Sequence, residues 1–360
     1  MDFKLRKSGT KEKIGLRRGL GFVLAVVLMG KDVSVAAQSQ HDQPKRAAPE
    51  INFVELPPDA RSAIDRGLAR LASLQQDDGS FGEGRYGRHV GITAIAALAL
   101  MADGHLPGRG VYGDVVERAL MFVVSNANEA GLLAAETSHG PMYGHGYASL
   151  FLGEVYGSSG DPRVRETLLK AIRLIVNCQN PEGGWRYQPT PYDADLSVTI
   201  TQIMALRSAR NAGLSVPKAT IDRAVSYVRR CQNPEDGGFR YMLRSGGSAY
   251  ARSAAGVASL QYAGVYDDDA VRDGLSYLAA AQENADNGGH GQYGRYYAAQ
   301  SIFLAGGTHW ATGFPLMRDA LVASQQSDGG WSSSHGEAYG TGMSLLVLQM
   351  PNRLLPIFQR

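Results

Sequence analysis

Apolar residues recur along this chain with helical spacing, in six stripes that follow the pattern i, i+3, i+4, i+7. The stripes are Ile64/Gly67/Leu68/Leu71, Val116/Ala119/Leu120/Val123, Leu168/Ala171/Ile172/Ile175, Ile221/Ala224/Val225/Val228, Val271/Gly274/Leu275/Leu278 and Met317/Ala320/Leu321/Ser324. That spacing lines the core-facing side of an amphipathic helix. Their first positions lie 52, 52, 53, 50 and 46 residues apart, so one structural unit is repeated six times. Most stripes run into a break rich in Gln and Gly, such as Cys178-Gln179-Asn180-Pro181-Glu182-Gly183-Gly184-Trp185 and Gln325-Gln326-Ser327-Asp328-Gly329-Gly330-Trp331. Glycine supplies a left-handed helix stop, and the aromatic ring plugs the turn. A second helix follows each break, for example Val90–Met101, Leu196–Ala209 and Ser253–Ala263, rich in Ala and poor in charge. Helices of that composition are buried on more than one side. Six hairpins of one outer and one inner helix predict an all-α fold, an (α/α)6 barrel or toroid, with strands nearly absent.

Composition adjusts this picture at the N-terminus. Residues 1–37 hold eight Lys/Arg and three Asp/Glu, so without them the balance of 36 against 34 becomes 28 against 31, or −3. A near-neutral chain offers no footing for nucleic acid. The basic residues ending in Arg17 and Arg18, the apolar run Gly19–Gly30 and the Val35-Ala36-Ala37 stretch have the order of an export signal. The apolar run is shorter than the roughly 20 residues a spanning helix needs, so no stable membrane span is expected after signal removal. The domain reading is therefore an export signal over 1–37, a polar leader over 38–58 and one toroid over 59–360, in an exported, periplasmic or extracellular protein. Two cysteines, Cys178 and Cys231, are too few for a disulfide framework or a thiolate metal cage. Their equivalent positions in adjacent repeats leave either two buried free thiols or one disulfide open.

Lys170–Trp185 and Arg318–Trp331 resemble the "QW" repeat of squalene–hopene and oxidosqualene cyclases, whose barrel also forms the protein prenyltransferase β subunit. The likeness covers roughly residues 60–350 and is strongest to exported single-barrel proteins with prenyltransferase/squalene-oxidase repeats. Tyr143-Gly144-His145-Gly146-Tyr147 and Asp195-Leu196-Ser197-Val198-Thr199 match that type. The resemblance implies the fold and leaves the reaction open. Class II cyclases protonate an alkene from an Asp-x-Asp-Asp cluster; here Asp193-Ala194-Asp195-Leu196 lacks the last Asp, and Asp195 aligns with the proton donor. The zinc-binding Asp, Cys and His of the prenyltransferases have no counterpart, and neither does the Cys-Gly-Glu-Gln of complement-type thioester domains. No metal or other cofactor is expected.

Residues opening each inner helix should face the mouth of the ring, and here they are polar and aromatic. They include His89, Thr93, Tyr143, His145, Tyr147, Tyr192, Asp193, Asp195, Tyr250, Arg252, Tyr293, Tyr296, Tyr297, His335, Glu337, Tyr339 and Thr341. From these, Asp195, Asp193 and His145 form the candidate catalytic set. Tyr143, Tyr147, Tyr192, Tyr250, Tyr296, Tyr297, Glu337 and Tyr339 form the candidate ligand rim. Each has a structural reading beside the functional one. Asp195 suits a helix cap, His145 between glycines suits a bonded turn residue, Glu337 suits a helix-start acid, and the tyrosines suit the barrel wall. Aligning repeats three and six sets Asp195 opposite Glu337 across the ring, about 8–10 Å apart if opposite helices are about 16–20 Å apart, near the span used by inverting glycosidases. The first functional expectation is an apolar or isoprenoid-like ligand in a central cavity, with cyclase-like acid chemistry if the protein is an enzyme. Two alternatives stand beside it: a carbohydrate-active enzyme using Asp195 and Glu337, and a non-catalytic scaffold for an unidentified protein partner.

Overall fold

The repeated stripes become twelve helices in the computed structural model, which describes residues 56–135, 140–284 and 290–359. These residues lie in a unit spanning 47–360. The segment read as an export signal (1–37) and the leader before residue 56 lie outside the described residues. The helices are α1 (Pro58–Ser73), α2 (Val90–Met101), α3 (Gly113–Ser125), α4 (Met142–Ser159), α5 (Pro162–Asn177), α6 (Leu196–Asn211), α7 (Lys218–Cys231), α8 (Tyr250–Tyr262), α9 (Asp269–Ala280), α10 (Gly291–Ala305), α11 (Gly307–Ser324) and α12 (Glu337–Leu348). Among the described residues only isolated β-bridges occur. None of these helices is long and apolar enough to cross a membrane.

The even-numbered helices form the inner ring, each packing on the next from α2 through α12 and back to α2. Inner helices α2, α4, α6, α8, α10 and α12 bury nearly every residue, as their composition predicts. Four of the six outer stripes are fully buried as expected. In α7, Ile221 and Val225 are only half-buried, and Tyr227 and Cys231 take their share. In α11 the buried line is shifted from the expected stripe: Met317 and Leu321 are buried as expected, Ala320 and Ser324 are exposed, and Trp310 and Phe314 complete the buried line. Two large rings on the preceding turn outweigh two small residues on the following one, since buried apolar area decides which face turns inward.

One glutamine per break explains how the outer ring is stitched. In four repeats its Nε2 donates both to the glycine carbonyl of its own turn and to a carbonyl at the next outer helix. Gln75 reaches Gly79 and Val115 (3.0 and 2.8 Å), Gln179 reaches Gly183 and Thr220 (2.8 and 2.9 Å), and Gln232 reaches Gly237 and Ala270 (2.9 and 2.9 Å). Gln325 reaches Gly329 and Ala63 (2.8 and 2.8 Å), which closes α11 onto α1. Such bonds contribute about 0.5–1.5 kcal/mol each. The turn brings Gly183 against the Arg223 carbonyl at φ +104°, where an added Cβ would stand 2.2 Å from that oxygen. A side chain there fails on both counts. The aromatic after the glycines is held twice: Trp185 N donates to Thr199 Oγ1 at 3.1 Å and its Nε1 to the Ile175 carbonyl at 2.7 Å, and Trp331 repeats this with Thr341 and Leu321.

The far end of the ring is closed by the C-terminal segment. Leu355, Ile357 and Phe358 are buried, and Gln349 Nε2 donates to the Ala99 carbonyl at 2.9 Å. Glu154, near the end of α4, accepts from Ser208 Oγ at 2.6 Å and from Ile357 N–H at 3.1 Å. Burial pushes the Glu154 carboxyl up to about 7. Among the described residues the other end, where the inner helices begin, is open.

Candidate functional site

At that open end lies a cavity of about 390 Å³, within the range of small-molecule sites. Its walls come from the starts of α2 (Gly91, Ile92, Ile95), α4 (Tyr143, Gly144, Tyr147), α10 (Gln292, Tyr293) and α12 (Tyr339). The preceding turns add Tyr86, His89, Gly140, Tyr187, His290 and His335. No Asp, Glu, Lys or Arg lines it among the described residues. Inner helices α6 and α8 contribute no lining residue, so the cavity is off-centre. The close approach of α2 and α4 needs Gly91 facing Gly144, since a Cβ on Gly91 would come within 2.8 Å of the Gly144 Cα.

Two aromatic groupings shape the walls. Tyr86, His335 and Tyr339 stack around one side, with ring centroids 5.2 Å apart for Tyr86–His335 and 5.1 Å for His335–Tyr339. Opposite them, Tyr143 packs on Tyr187 at 6.0 Å, and Tyr293 packs edge-on against Tyr297 at 4.7 Å. The Tyr147 hydroxyl, reaching down from the cavity, hydrogen-bonds that of Tyr297 at 2.9 Å. Burial holds the Tyr143, Tyr147 and Tyr293 phenols protonated by raising them well above their ordinary value. They therefore present neutral hydroxyls and ring faces.

Of the rim residues expected from sequence, Tyr143, Tyr147, His89, Tyr293, His335 and Tyr339 meet at the cavity. Tyr297 lies in the layer below, with Tyr296 packed against it at 4.9 Å. Tyr250 is buried against α10, its ring 3.3 Å from where a Cβ on Gly294 would stand. Tyr192 is 87 % exposed and lines nothing. Glu337 is taken by a bidentate ion pair with Arg70 of α1, at 2.6 and 2.9 Å, as a helix-start acid.

His145 is fully buried and turned outward, away from the cavity. Its Nδ1 accepts from Leu133 N–H at 3.1 Å, and its Nε2 lies 3.3 Å from the Ala171 carbonyl of α5. Burial lowers it to about 4, so it is a neutral strut between two hairpins. Asp195 is also fully buried. Its Oδ1 caps α6 by accepting from Val198 N–H at 2.9 Å. Its Oδ2 lies 3.6 Å from Arg186 Nε, with the Tyr241 hydroxyl beside the carboxylate. Burial raises Asp195 to about 6. Asp193 pairs with the same arginine. Asp195 and Glu337 are thus each held locally, and neither reaches the cavity. Cys178 and Cys231 are buried free thiols, pushed up to about 12 by burial.

Sequence reasoning missed Tyr86, Tyr187, His290 and Gln292. Tyr187 carried a usable signal, two residues after the turn-plugging Trp185, where the chain must pass over the mouth. Behind it, the Tyr187 and Tyr241 hydroxyls are 2.5 Å apart, and Tyr241 stands next to Asp195.

With that geometry in place, residues 159–299 match the prenyltransferase alpha-alpha toroid domain. The chain is 27% identical over 199 residues to drimenyl diphosphate synthase of Streptomyces showdoensis, covering 54% of this chain and 34% of that protein. It thus spans about a third of the length of the curated relative it matches. Among solved structures, an α-1,6-mannanase of Salegentibacter superposes with TM-score 0.61 at 10% identity, covering 82% of this chain and 99% of that one. A type II terpene cyclase of Scytonema gives 0.56 at 12% over 82% and 98%, and cellobiose 2-epimerase of Spirochaeta thermophila gives 0.60 at 14% over 83% and 99%. At these identities the structures share the fold. The chain forms an α/α toroid similar to those of the prenyltransferases and terpenoid cyclases.

Proposed function

We propose that this protein binds an apolar or isoprenoid-like small molecule in the aromatic cavity, outside the cytoplasm in keeping with the signal-like residues 1–37. The observation that carries the reading is the lining: tyrosine rings with Ile92 and Ile95, and no carboxylate among the described residues. Aromatic faces offer large apolar area and favour any positive charge developing on a hydrocarbon. The similarity to drimenyl diphosphate synthase supports an isoprenoid-like ligand. A two-carboxylate glycosidase fits less well, because its acid and base must both face the sugar, and Asp195 and Glu337 do not.

Terpenoid-cyclase-like acid chemistry suits such a ligand, with Asp195 as the proton source and Asp193 holding Arg186 beside it. From its buried position Asp195 would reach the cavity through the Tyr241 and Tyr187 hydroxyls, which are in contact. Native mass spectrometry of the protein purified from its source tests the binding reading: a co-purifying isoprenoid or other lipid is expected, and protein free of any lipid counts against it. An Asp195→Asn variant tests the chemistry: loss of conversion of a polyprenol probe with unchanged stability is expected, and full conversion removes Asp195 from the reaction.

A further inference from the structure

Within this cavity His89 has one ring nitrogen left without a partner among the described residues. His89 sits at the N-cap of α2, and its Nδ1 accepts from Gly91 N–H at 3.1 Å and Ile92 N–H at 3.4 Å. A ring nitrogen that accepts two backbone N–H groups carries no proton, so the hydrogen of the neutral ring is on Nε2. Nε2 has no hydrogen-bond partner among the described residues, and the half-buried ring lines the cavity. Burial, with the nearby His335, lowers His89 to about 4. The helix N-terminus works in the same direction by disfavouring a cation there. His89 is thus a fixed, uncharged donor in a wall that also carries tyrosine hydroxyls, His290, His335 and the Gln292 amide.

We propose that the ligand is amphiphilic, with an uncharged oxygen-bearing head, an alcohol or a carbonyl, accepting from His89 Nε2 beside Tyr86 and His335, and an apolar body lying against Tyr143, Tyr147 and Ile95. This rests on the binding reading above and fixes the chemistry of the ligand's polar end. A carbonyl or hydroxyl oxygen satisfies the free N–H, whereas a hydrocarbon leaves it unpaired. A diphosphate head is disfavoured, because no Lys or Arg lines the cavity among the described residues to balance its charge.

Three probes of one carbon skeleton test this on the full chain: farnesol, farnesane and farnesyl diphosphate, each below its aggregation threshold and followed by intrinsic fluorescence. Farnesol is expected to bind about tenfold tighter than farnesane, the worth of one net hydrogen bond, and tighter than farnesyl diphosphate. In His89→Ser, whose short hydroxyl can still cap α2 but cannot reach across the cavity, the farnesol-to-farnesane ratio should fall to about one. A ratio near tenfold in His89→Ser overturns the assignment of the head group to His89. The wild-type ranking stands as a separate test should that variant not fold: diphosphate binding tighter than alcohol overturns the uncharged head. Absence of binding by all three overturns the underlying binding reading, and binding by all three at equal strength overturns only the polar pole.

Discussion

His89 and His145 occupy similar places in neighbouring repeats, at the start of inner helices α2 and α4, yet they serve opposite ends. His145 spends both ring nitrogens on stitching two hairpins together, on Leu133 N–H of its own turn and the Ala171 carbonyl of the next outer helix. His89 spends one nitrogen on its own helix and keeps the other at the cavity wall. The same contrast separates Glu154 and Glu337, whose oxygens are engaged by neighbours, from the cavity tyrosines, whose ring faces are open. In a ring of repeats most polar groups are consumed in stitching one hairpin to the next, and only those with bonding capacity left over can meet a ligand.

Four substitutions can break or sharpen that contrast. His145→Ala should cost about 4 kcal/mol, because it opens a buried cavity and strands the Leu133 N–H and the Ala171 carbonyl. Chemical denaturation checks it, and affinity for a cavity ligand in the surviving folded fraction should be unchanged.

Next in size is the pH dependence set by Glu154. Folded, its carboxyl sits at about 7 against an ordinary 4.5. Between those values the folded chain keeps a proton that the unfolded chain has lost. The stability it contributes is complete below about pH 4.5 and is lost as pH rises towards 7, a change of roughly 3 kcal/mol at most. Glu154→Gln keeps the contacts to Ser208 and Ile357 and should remove this component, seen as a flatter melting temperature from pH 4.5 to 7. An unchanged slope would place the proton uptake elsewhere.

His89→Ser should lower stability by only about 1 kcal/mol, since a serine can still cap α2, in contrast to His145→Ala. Equal losses in the two thermal melts would erase the distinction between strut and cavity residue. Tyr192→Ala, at an exposed position, should shift stability by less than about 0.5 kcal/mol and leave ligand binding untouched. A measurable loss of affinity would place Tyr192 at the ligand despite its exposure.

Much of this was legible in the order of residues. The stripes, the Gln-Gly-Gly-Trp breaks and the Ala-rich second helices fixed twelve helices in six pairs, because amphipathic periodicity and glycine stops are local properties read within one turn or two. The α11 stripe slipped because two faces of that helix are apolar, and only packing against the rest of the ring chose Trp310 and Phe314 over Ala320 and Ser324. The rim was half legible: placing polar and aromatic residues at the starts of inner helices found His89, Tyr143, Tyr147, Tyr293, His335 and Tyr339. Which of them keep a free face is a matter of neighbours distant in the chain. Asp195 reads the same in sequence whether it caps a helix behind the wall or points at a ligand, and His145 reads the same whether it is a strut or a base. The sequence by itself therefore determined the repeated hairpin and the residues crowding its open end. Only the tertiary structure decided that Asp195 is buried behind the wall, that Glu337 is paired with Arg70 and that a neutral histidine donor remains before the cavity, because hydrogen-bond partners are allotted across hairpins and not along them.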